Sequence, residues 1–342
     1  MAPSTGRHST VQHDMVARLG LGLAAVARPA YITSGRAADL GDARGVEQLR
    51  DRTHELLDAA YAHGIRYLDV ARSYGRAEEF LAGWLTEHPE IGTERSAGGT
   101  SSGAVEIGSK WGYRYVGDWC VDAEVHESKG HSLAAFTEQS GQSLELLGDR
   151  LTVYHVHSAT LETGVLDDAD VHRAMAGLRE RGIRVGISTS GPRQSEAIRR
   201  ALDVRVDGEV LFSSFQSTWN VLEPSAGPAL AEAAASGARV IVKEAFANGR
   251  LAPGGQDGTA AARAAAELAQ RLDLPLDRVA VAAVLARPWA RRVLLGPVDT
   301  AQLASNVAAV DVALPDGIDD ELDALGEPAE QYWATRSGRP WA

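Results

Sequence analysis

The sequence predicts an α/β protein, a closed (β/α)8 TIM barrel forming a single domain with long βα loops at its C-terminal face. Three features point there. Eight short apolar runs alternate with alanine-rich amphipathic stretches, the pattern of strands joined by helical crossovers in a parallel sheet. Several helices close in a glycine turn that leads straight into the next run, as at His63-Gly64-Ile65, Arg181-Gly182-Ile183 and Ser236-Gly237-Ala238. No Pro/Ser/Gly linker divides the chain, and eight repeated units favour a closed barrel over an open sheet.

Taken in order, the strand runs are Leu19–Val26, Ile65–Val70, Val105–Ser109, Leu151–Val156, Ile183–Ile187, Val210–Ser213, Ala238–Val242 and Val293–Leu295. The helical stretches are Val46–His63, Ala77–Glu87, Ser132–Leu147, Ala169–Arg181, Arg193–Leu202, Ala226–Ser236, Ala261–Leu285 with a break near Leu274-Pro275, and Thr300–Val310. Residues 1–17 read as a flexible N-terminal leader, and 18–342 as the barrel with a C-terminal tail. Three connections exceed ordinary loop length: Arg28–Gly45, Gly92–Ala104 and Trp111–His131. The second holds Gly98–Gly103, which reads as a flexible tip. The third carries Trp111, Tyr113, Tyr115 and Trp119, follows a strand and is expected at the barrel mouth as a substrate lid.

With 342 residues, 44% of them hydrophobic, the chain can bury a large core. A net charge of −12 argues against a nucleic-acid or anionic-membrane surface. Cys120 is the only cysteine, so no internal disulfide forms, and a reducing cytoplasmic location is expected. No segment approaches the roughly 18 apolar residues that span a bilayer, and Met1–Thr10 lacks the apolar stretch of a signal peptide.

The chemistry converges on Asp69, Tyr74, Lys110 and His157. Each falls at or just past the end of an expected strand, where a barrel gathers its site. A free tyrosine, with a pKa of about 10, is a poor acid or base at neutral pH. A neighbouring lysine favours the phenolate, and a carboxylate holds that lysine charged and oriented. A histidine beside the phenol positions a substrate oxygen. Such a set protonates a carbonyl oxygen while hydride arrives at its carbon, or runs in reverse. Taken singly, Asp69 reads equally as a helix cap, Tyr74 as a surface aromatic and Lys110 as a solvated charge. Three consecutive strand ends make them a constellation.

The run Gly64-Ile65-Arg66-Tyr67-Leu68-Asp69-Val70-Ala71-Arg72-Ser73-Tyr74-Gly75, with Lys110 and His157 on the next two strands, resembles the aldo-keto reductase family. The likeness runs from about Arg18 to Val310. It implies an NAD(P)H-dependent oxidoreductase that binds its cofactor without a Rossmann fold and acts on a small carbonyl or sugar substrate. It also implies cofactor roles by position. Ser188 and Thr189, the latter where the family pattern has asparagine, and Gln216 stand where the nicotinamide carboxamide is held. Gly296, Gln302 and Asn306 stand at the adenosine end. Lys243 replaces the aromatic expected against the nicotinamide, with Glu244 as its nearest anion. Val298 and Asp299 stand where a 2′-phosphate is usually held, which leans the cofactor toward NADH unless Arg250, Arg291 or Arg292 supplies a charge. Trp111, Tyr113, Trp119 and Trp219, with Tyr332, Trp333 and Trp341 of the tail, are candidate substrate walls.

Three other readings stand beside this one. Gly20-Leu21-Gly22-Leu23-Ala24-Ala25 matches a dinucleotide fingerprint, but its glycines lie inside a strand and Arg28-Pro29 follows instead of a helix. His155 and His157 share one strand face and suggest a metal-dependent hydrolase, although later strand ends offer Ser188 and Gln216 rather than histidines. Some relatives in the resembled family serve as cofactor-binding regulatory subunits of ion channels, which gives a non-enzymatic reading of this chain.

Overall fold

The computed structural model describes residues 12, 14–33, 36–92, 103–255 and 258–341. Eight parallel strands close into a barrel: β1 (Leu19–Gly22), β2 (Tyr67–Asp69), β3 (Glu106–Trp111), β4 (Leu151–Ala159), β5 (Arg184–Thr189), β6 (Ser214–Thr218), β7 (Arg239–Lys243) and β8 (Arg292–Leu295). Each pairs with its sequence neighbours, and β1 closes the ring against β8 through Leu19↔Val293 and Leu21↔Leu295. The main surrounding helices are α1 (Val46–Ala62), α2 (Ala77–Glu87), α3 (Leu133–Leu147), α4 (Ala169–Glu180), α5 (Gln194–Leu202), α6 (Gly227–Ala235), α7 (Ala260–Arg271), α8 (Leu276–Leu285), α9 (Thr300–Val307) and α10 (Ala329–Ser337). Gly64, Gly182 and Gly237 all have positive φ, as the glycine turns require. The break expected near Leu274-Pro275 separates α7 from α8. Among the described residues, no helix is long and apolar enough to cross a membrane.

The barrel interior is filled before the mouth is reached. Tyr67, Val153, Ile241 and Leu294 form a small buried layer. Tyr67 occupies so much of it that a Cβ on Gly108 would lie 2.2 Å from its hydroxyl, and one on Gly20 would lie 2.9 Å from its ring. The next layer holds Asp69, Lys110, His155 and Gln216, all buried. Gly186 permits this closeness between β5 and β6: a Cβ there would sit 2.0 Å from the Ser214 carbonyl oxygen and 2.9 Å from the His155 ring. Gly186→Ala is therefore expected to lower stability by about 1–3 kcal/mol, the usual cost of overpacking. Denaturant unfolding would show it, and an unchanged midpoint would refute this account of the glycine.

Two strands differ from their expected positions. The sixth apolar run, Val210–Ser213, precedes the barrel strand instead of forming it. Val210 is 46% exposed and pairs with Arg205 in a short antiparallel hairpin. The true strand, Ser-Phe-Gln-Ser-Thr, is polar because it meets the polar layer of the barrel. The first strand stops at Gly22, and Leu23–Ala27 turns back on itself with Val26 and Ala27 both donating to the Leu23 carbonyl. Its apolar residues are buried all the same, which is why the run looked longer. Of the expected leader, residues 1–11 and 13 lie outside the described residues, as does Gly98–Ser102 of the expected tip. Val16, placed in that leader, is buried in the main core instead.

Candidate active site

A cavity of about 410 Å³ opens at the C-terminal ends of the strands. Asp69, Tyr74 and His157 line it, and Lys110 lies directly beneath, fully buried. Register sets this arrangement: Asp69 aligns with Gly108, and Lys110 with His155 one step higher. The Lys110 ammonium donates to Asp69 Oδ2 at 2.5 Å and to the Val70 carbonyl at 2.8 Å. Its Nζ stands 4.7 Å from the Tyr74 ring centroid. The His157 ring meets Tyr74 edge-on, centroids 5.5 Å apart, with Nδ1 at 3.4 Å from Ser73 Oγ. The Tyr74 hydroxyl makes no bond to a described residue, which leaves it available to a substrate oxygen.

Burial decides the electrostatics. It pushes the Tyr74 phenol well above its usual value, and the Asp69 charge adds to that, while Arg28 opposes both. The expectation that Lys110 sets a lowered Tyr74 pKa is therefore corrected for the protein groups: desolvation outweighs the neighbouring cations. Burial holds His157 well below its ordinary range, with Lys110 and Lys243 pushing the same way, so its imidazole is neutral at pH 7. Burial also raises Asp69 against the opposing Lys110 charge and lowers Lys110 against the opposing Asp69 charge. The site thus presents a neutral phenol and a neutral imidazole, both able to donate a hydrogen bond.

The cofactor candidates divide. Gln216 lines the cavity and donates through Nε2 to Asp69 Oδ1 at 2.7 Å. Its Oε1 is buried without a partner, a ready acceptor for a carboxamide N–H. Lys243 also lines the cavity, so the cation expected there is present. It donates to Thr218 Oγ1 at 2.8 Å and lies 3.4 Å from Glu244 Oε1. Burial lowers it to about 8 despite Glu244. Glu244 is buried, which would raise it, but Arg336 and Lys243 hold its carboxyl down at about 2. Gly296 lines the cavity on the β8 side.

The other cofactor candidates are engaged inside the protein. The Ser188 hydroxyl accepts from the Ser158 amide at 2.8 Å. Thr189 faces outward, 2.7 Å from Ser217 Oγ and 3.3 Å from Gln194. Ser190, one residue on, is the one that reaches the cavity. Asp299 caps α9 by accepting from the Gln302 amide at 2.8 Å, Gln302 donates to Asp39, and Asn306 donates to Asp277. Of the three arginines expected to supply charge, Arg250 is paired with Glu327 and Arg292 stands near Glu106. Arg291 lies at the opposite end of the barrel, in a depression with Arg18 and Arg239. The cation that does reach Val298 is Arg52 of α1, donating to the Val298 carbonyl at 3.0 Å.

Among the expected substrate walls, Tyr113 and Trp341 line the cavity. Trp111 does not: Lys110 faces inward, so its neighbour faces α3, buried against Phe136 and His131. Trp219 likewise turns outward next to Thr218 and packs on Trp289. Trp119 packs against Phe80 and donates to the Arg44 carbonyl at 2.9 Å. Tyr332 and Trp333 are buried in the packing of the tail. The expected lid is an antiparallel hairpin, Tyr113–Tyr115 against Glu127–Lys129, that puts Tyr113 and Glu127 on the cavity wall. His155 is buried and lies 2.9 Å from Ser214 Oγ; no cluster of three metal-ligating side chains exists among the described residues. The donor set for the hydrolase reading is therefore incomplete.

Arg28, Tyr31, Glu127 and Arg336 also line the cavity and carried no assigned role in the sequence. They sit in long connections and in the tail, outside any strand-end pattern.

The aldo/keto reductase family model matches residues 38–327. No curated protein matches the chain. Solved structures with a similar fold include a putative aldo-keto reductase from Pseudomonas aeruginosa, 22% identical with a TM-score of 0.58, covering 86% of this chain and 88% of that one. Another is the holo form of an aldo-keto reductase from Bacillus halodurans, 20% identical with a TM-score of 0.64, covering 91% of this chain and 93% of that one.

Proposed function

The chain belongs to the aldo-keto reductase family, which implies NAD(P)H-dependent carbonyl reduction, and we propose that Tyr74 is the group that moves the proton in that reaction. The observation that carries this reading is the meeting of Tyr74, Asp69 and His157 at one cavity, with Lys110 buried beneath them and bonded to Asp69. A bound nicotinamide would supply the hydride or accept it. Gln216, through its unpartnered Oε1, would hold the carboxamide, with Lys243 alongside and Gly296 toward the adenosine end. In reduction, the neutral Tyr74 hydroxyl protonates the substrate oxygen; in oxidation it receives that proton back. Neutral His157 donates a hydrogen bond to the same oxygen and fixes its position. Lys110, held by Asp69, stabilises the negative charge that develops on the phenol.

Val298 and Asp299 lean the cofactor toward NADH, and the Arg52 guanidinium at the Val298 carbonyl works in the other direction. Purified protein is expected to turn over members of a panel of aldehydes, cyclic ketones and aldoses, with kcat/KM larger for NAD(H) than for NADP(H). A strong NADPH preference would overturn the lean and direct attention to Arg52. Tight cofactor binding without any turnover would overturn the enzymatic reading in favour of a regulatory subunit.

A further inference from the structure

Beyond the tetrad, the cavity wall contains a charged pair that proton transfer does not use. Arg28 is 1% exposed, yet it lines the cavity. Its Nη1 donates to Glu127 Oε1 at 2.7 Å and to the Ser73 carbonyl at 3.1 Å, and its Nε donates to the Ala24 carbonyl at 3.2 Å. Its Nη2 has no partner among the described residues, and neither has Glu127 Oε2. Aromatic rings surround the guanidinium: Tyr31 at 4.4 Å, Trp341 at 4.9 Å and Tyr74 at 5.2 Å from their centroids. Trp341 is itself stacked on His126, 4.4 Å apart and 12° from parallel.

The pair is rigidly placed against the reacting tyrosine. The turn bearing Arg28 rests on the turn bearing Tyr74 so closely that a Cβ on Gly75 would fall 2.3 Å from the Ala27 carbonyl oxygen. The Arg76 amide donates to that same carbonyl at 3.0 Å. Glu127 arrives separately, on the hairpin between β3 and α3.

We propose that Arg28 and Glu127 are specificity-determining residues that read hydroxyl groups on the substrate, and that the substrate is a polyhydroxylated ring of monosaccharide size. This inference rests on the oxidoreductase reading above. A hydroxyl can accept from Arg28 and donate to Glu127 at once, so a vicinal pair satisfies both. An apolar carbonyl compound would cover a guanidinium edge and a carboxylate oxygen without bonding either, and desolvating such groups unpaired is costly. A carboxylate would be drawn to Arg28 but repelled by Glu127, which already neutralises it. Tyr31, Tyr113 and Phe246 line the same cavity and supply apolar ring surface for the C–H side of a sugar.

The test compares two substrates with the same reacting carbon, an aldopentose and 2-hydroxytetrahydropyran, the same ring without the other hydroxyls. Each loses a hydride from its hemiacetal carbon to the oxidised cofactor and a proton from its hydroxyl, giving a lactone. Wild-type protein is expected to prefer the aldopentose in kcat/KM by at least ~10²-fold, as sites built to bond a hydroxyl do. Glu127→Ala and Arg28→Lys should both shrink that ratio toward one. Glu127→Ala leaves the backbone contacts of Arg28 intact, and Glu127→Gln keeps an oxygen for Arg28; an unchanged thermal midpoint in either variant separates lost recognition from a folding defect. Equal use of the two rings by the wild type, or variants that slow both rings equally, would overturn the inference while leaving the oxidoreductase reading in place. A higher kcat/KM for 4-carboxybenzaldehyde than for any aldose would assign Arg28 to an anion instead and overturn it too. Failure to turn over any carbonyl or hemiacetal would sink the function itself, and this inference with it.

Discussion

Tyr74→Phe is expected to lower kcat by about 10²–10⁴-fold, the usual worth of a positioned general acid, while the dissociation constant for the nicotinamide cofactor stays unchanged. The two halves of that result come from geometry. The Tyr74 ring is part of the main core, and phenylalanine keeps that ring, so the packing against His157 and Arg28 survives. The hydroxyl makes no bond to a described residue, so removing it leaves no protein donor or acceptor stranded and costs little stability. What disappears is the neutral O–H of the cavity-lining tyrosine that has both His157 and the Lys110 ammonium beside it. Burial holds the Tyr74 phenol above its usual range, so it is protonated at neutral pH, as reduction needs. Single-turnover measurement of the chemical step, with cofactor affinity from fluorescence titration, separates the two halves. Near-normal kcat in Tyr74→Phe would refute the assignment.

The division between what the sequence showed and what it hid has a physical basis. Strand ends were legible because apolar runs mark them, and a barrel collects them at one mouth. Asp69, Tyr74, Lys110 and His157 all follow that rule, whereas Gln216 was legible only through the family resemblance. The sixth strand broke it because the part of β6 that meets the polar layer is itself polar, so the apolar run just before it gave the stronger signal. The tryptophans were misassigned for a related reason. Aromatic residues near a mouth suggest a pocket, but strand alternation sends Trp111 and Trp219 outward once Lys110 and Thr218 point in. Burial was the other hidden quantity. A lysine beside a tyrosine predicts a lowered phenol pKa, yet burial and the Asp69 charge raise the Tyr74 phenol against the opposing charge of Arg28. Arg28, Glu127 and Arg336 were silent because loops and a tail deliver them. Their placement depends on contacts such as the Arg336–Glu244 pair and the Trp341–His126 stack, which join residues roughly ninety to more than two hundred positions apart in sequence.

Lys110→Met should damage stability and chemistry together, and the two effects can be separated. Lys110 is 0% exposed and Asp69 2%, so removing the ammonium leaves a buried carboxylate bonded only by Gln216 Nε2. Breaking a buried pair from one side costs about 3–5 kcal/mol. The cost should depend on pH. Burial already holds Asp69 above its usual value, and losing Lys110 raises it further. The folded variant therefore keeps that proton to higher pH than the unfolded chain, whose carboxyl titrates near ~3.9. The penalty is absent below the unfolded value and grows as pH rises through the window above it. Denaturant midpoints across that range would show a defect that widens with pH; a pH-independent loss would mean that the pair is not its source. Lys110→Met combined with Asp69→Asn removes both charges, and replacing both partners is far milder than stranding one. Stability should therefore largely return in the double variant. Activity should not, because the cation that stood 4.7 Å from the Tyr74 ring is still missing when charge develops on the phenol. Recovery of kcat along with stability would show that Lys110 serves the fold alone, and would remove it from the proton-transfer step.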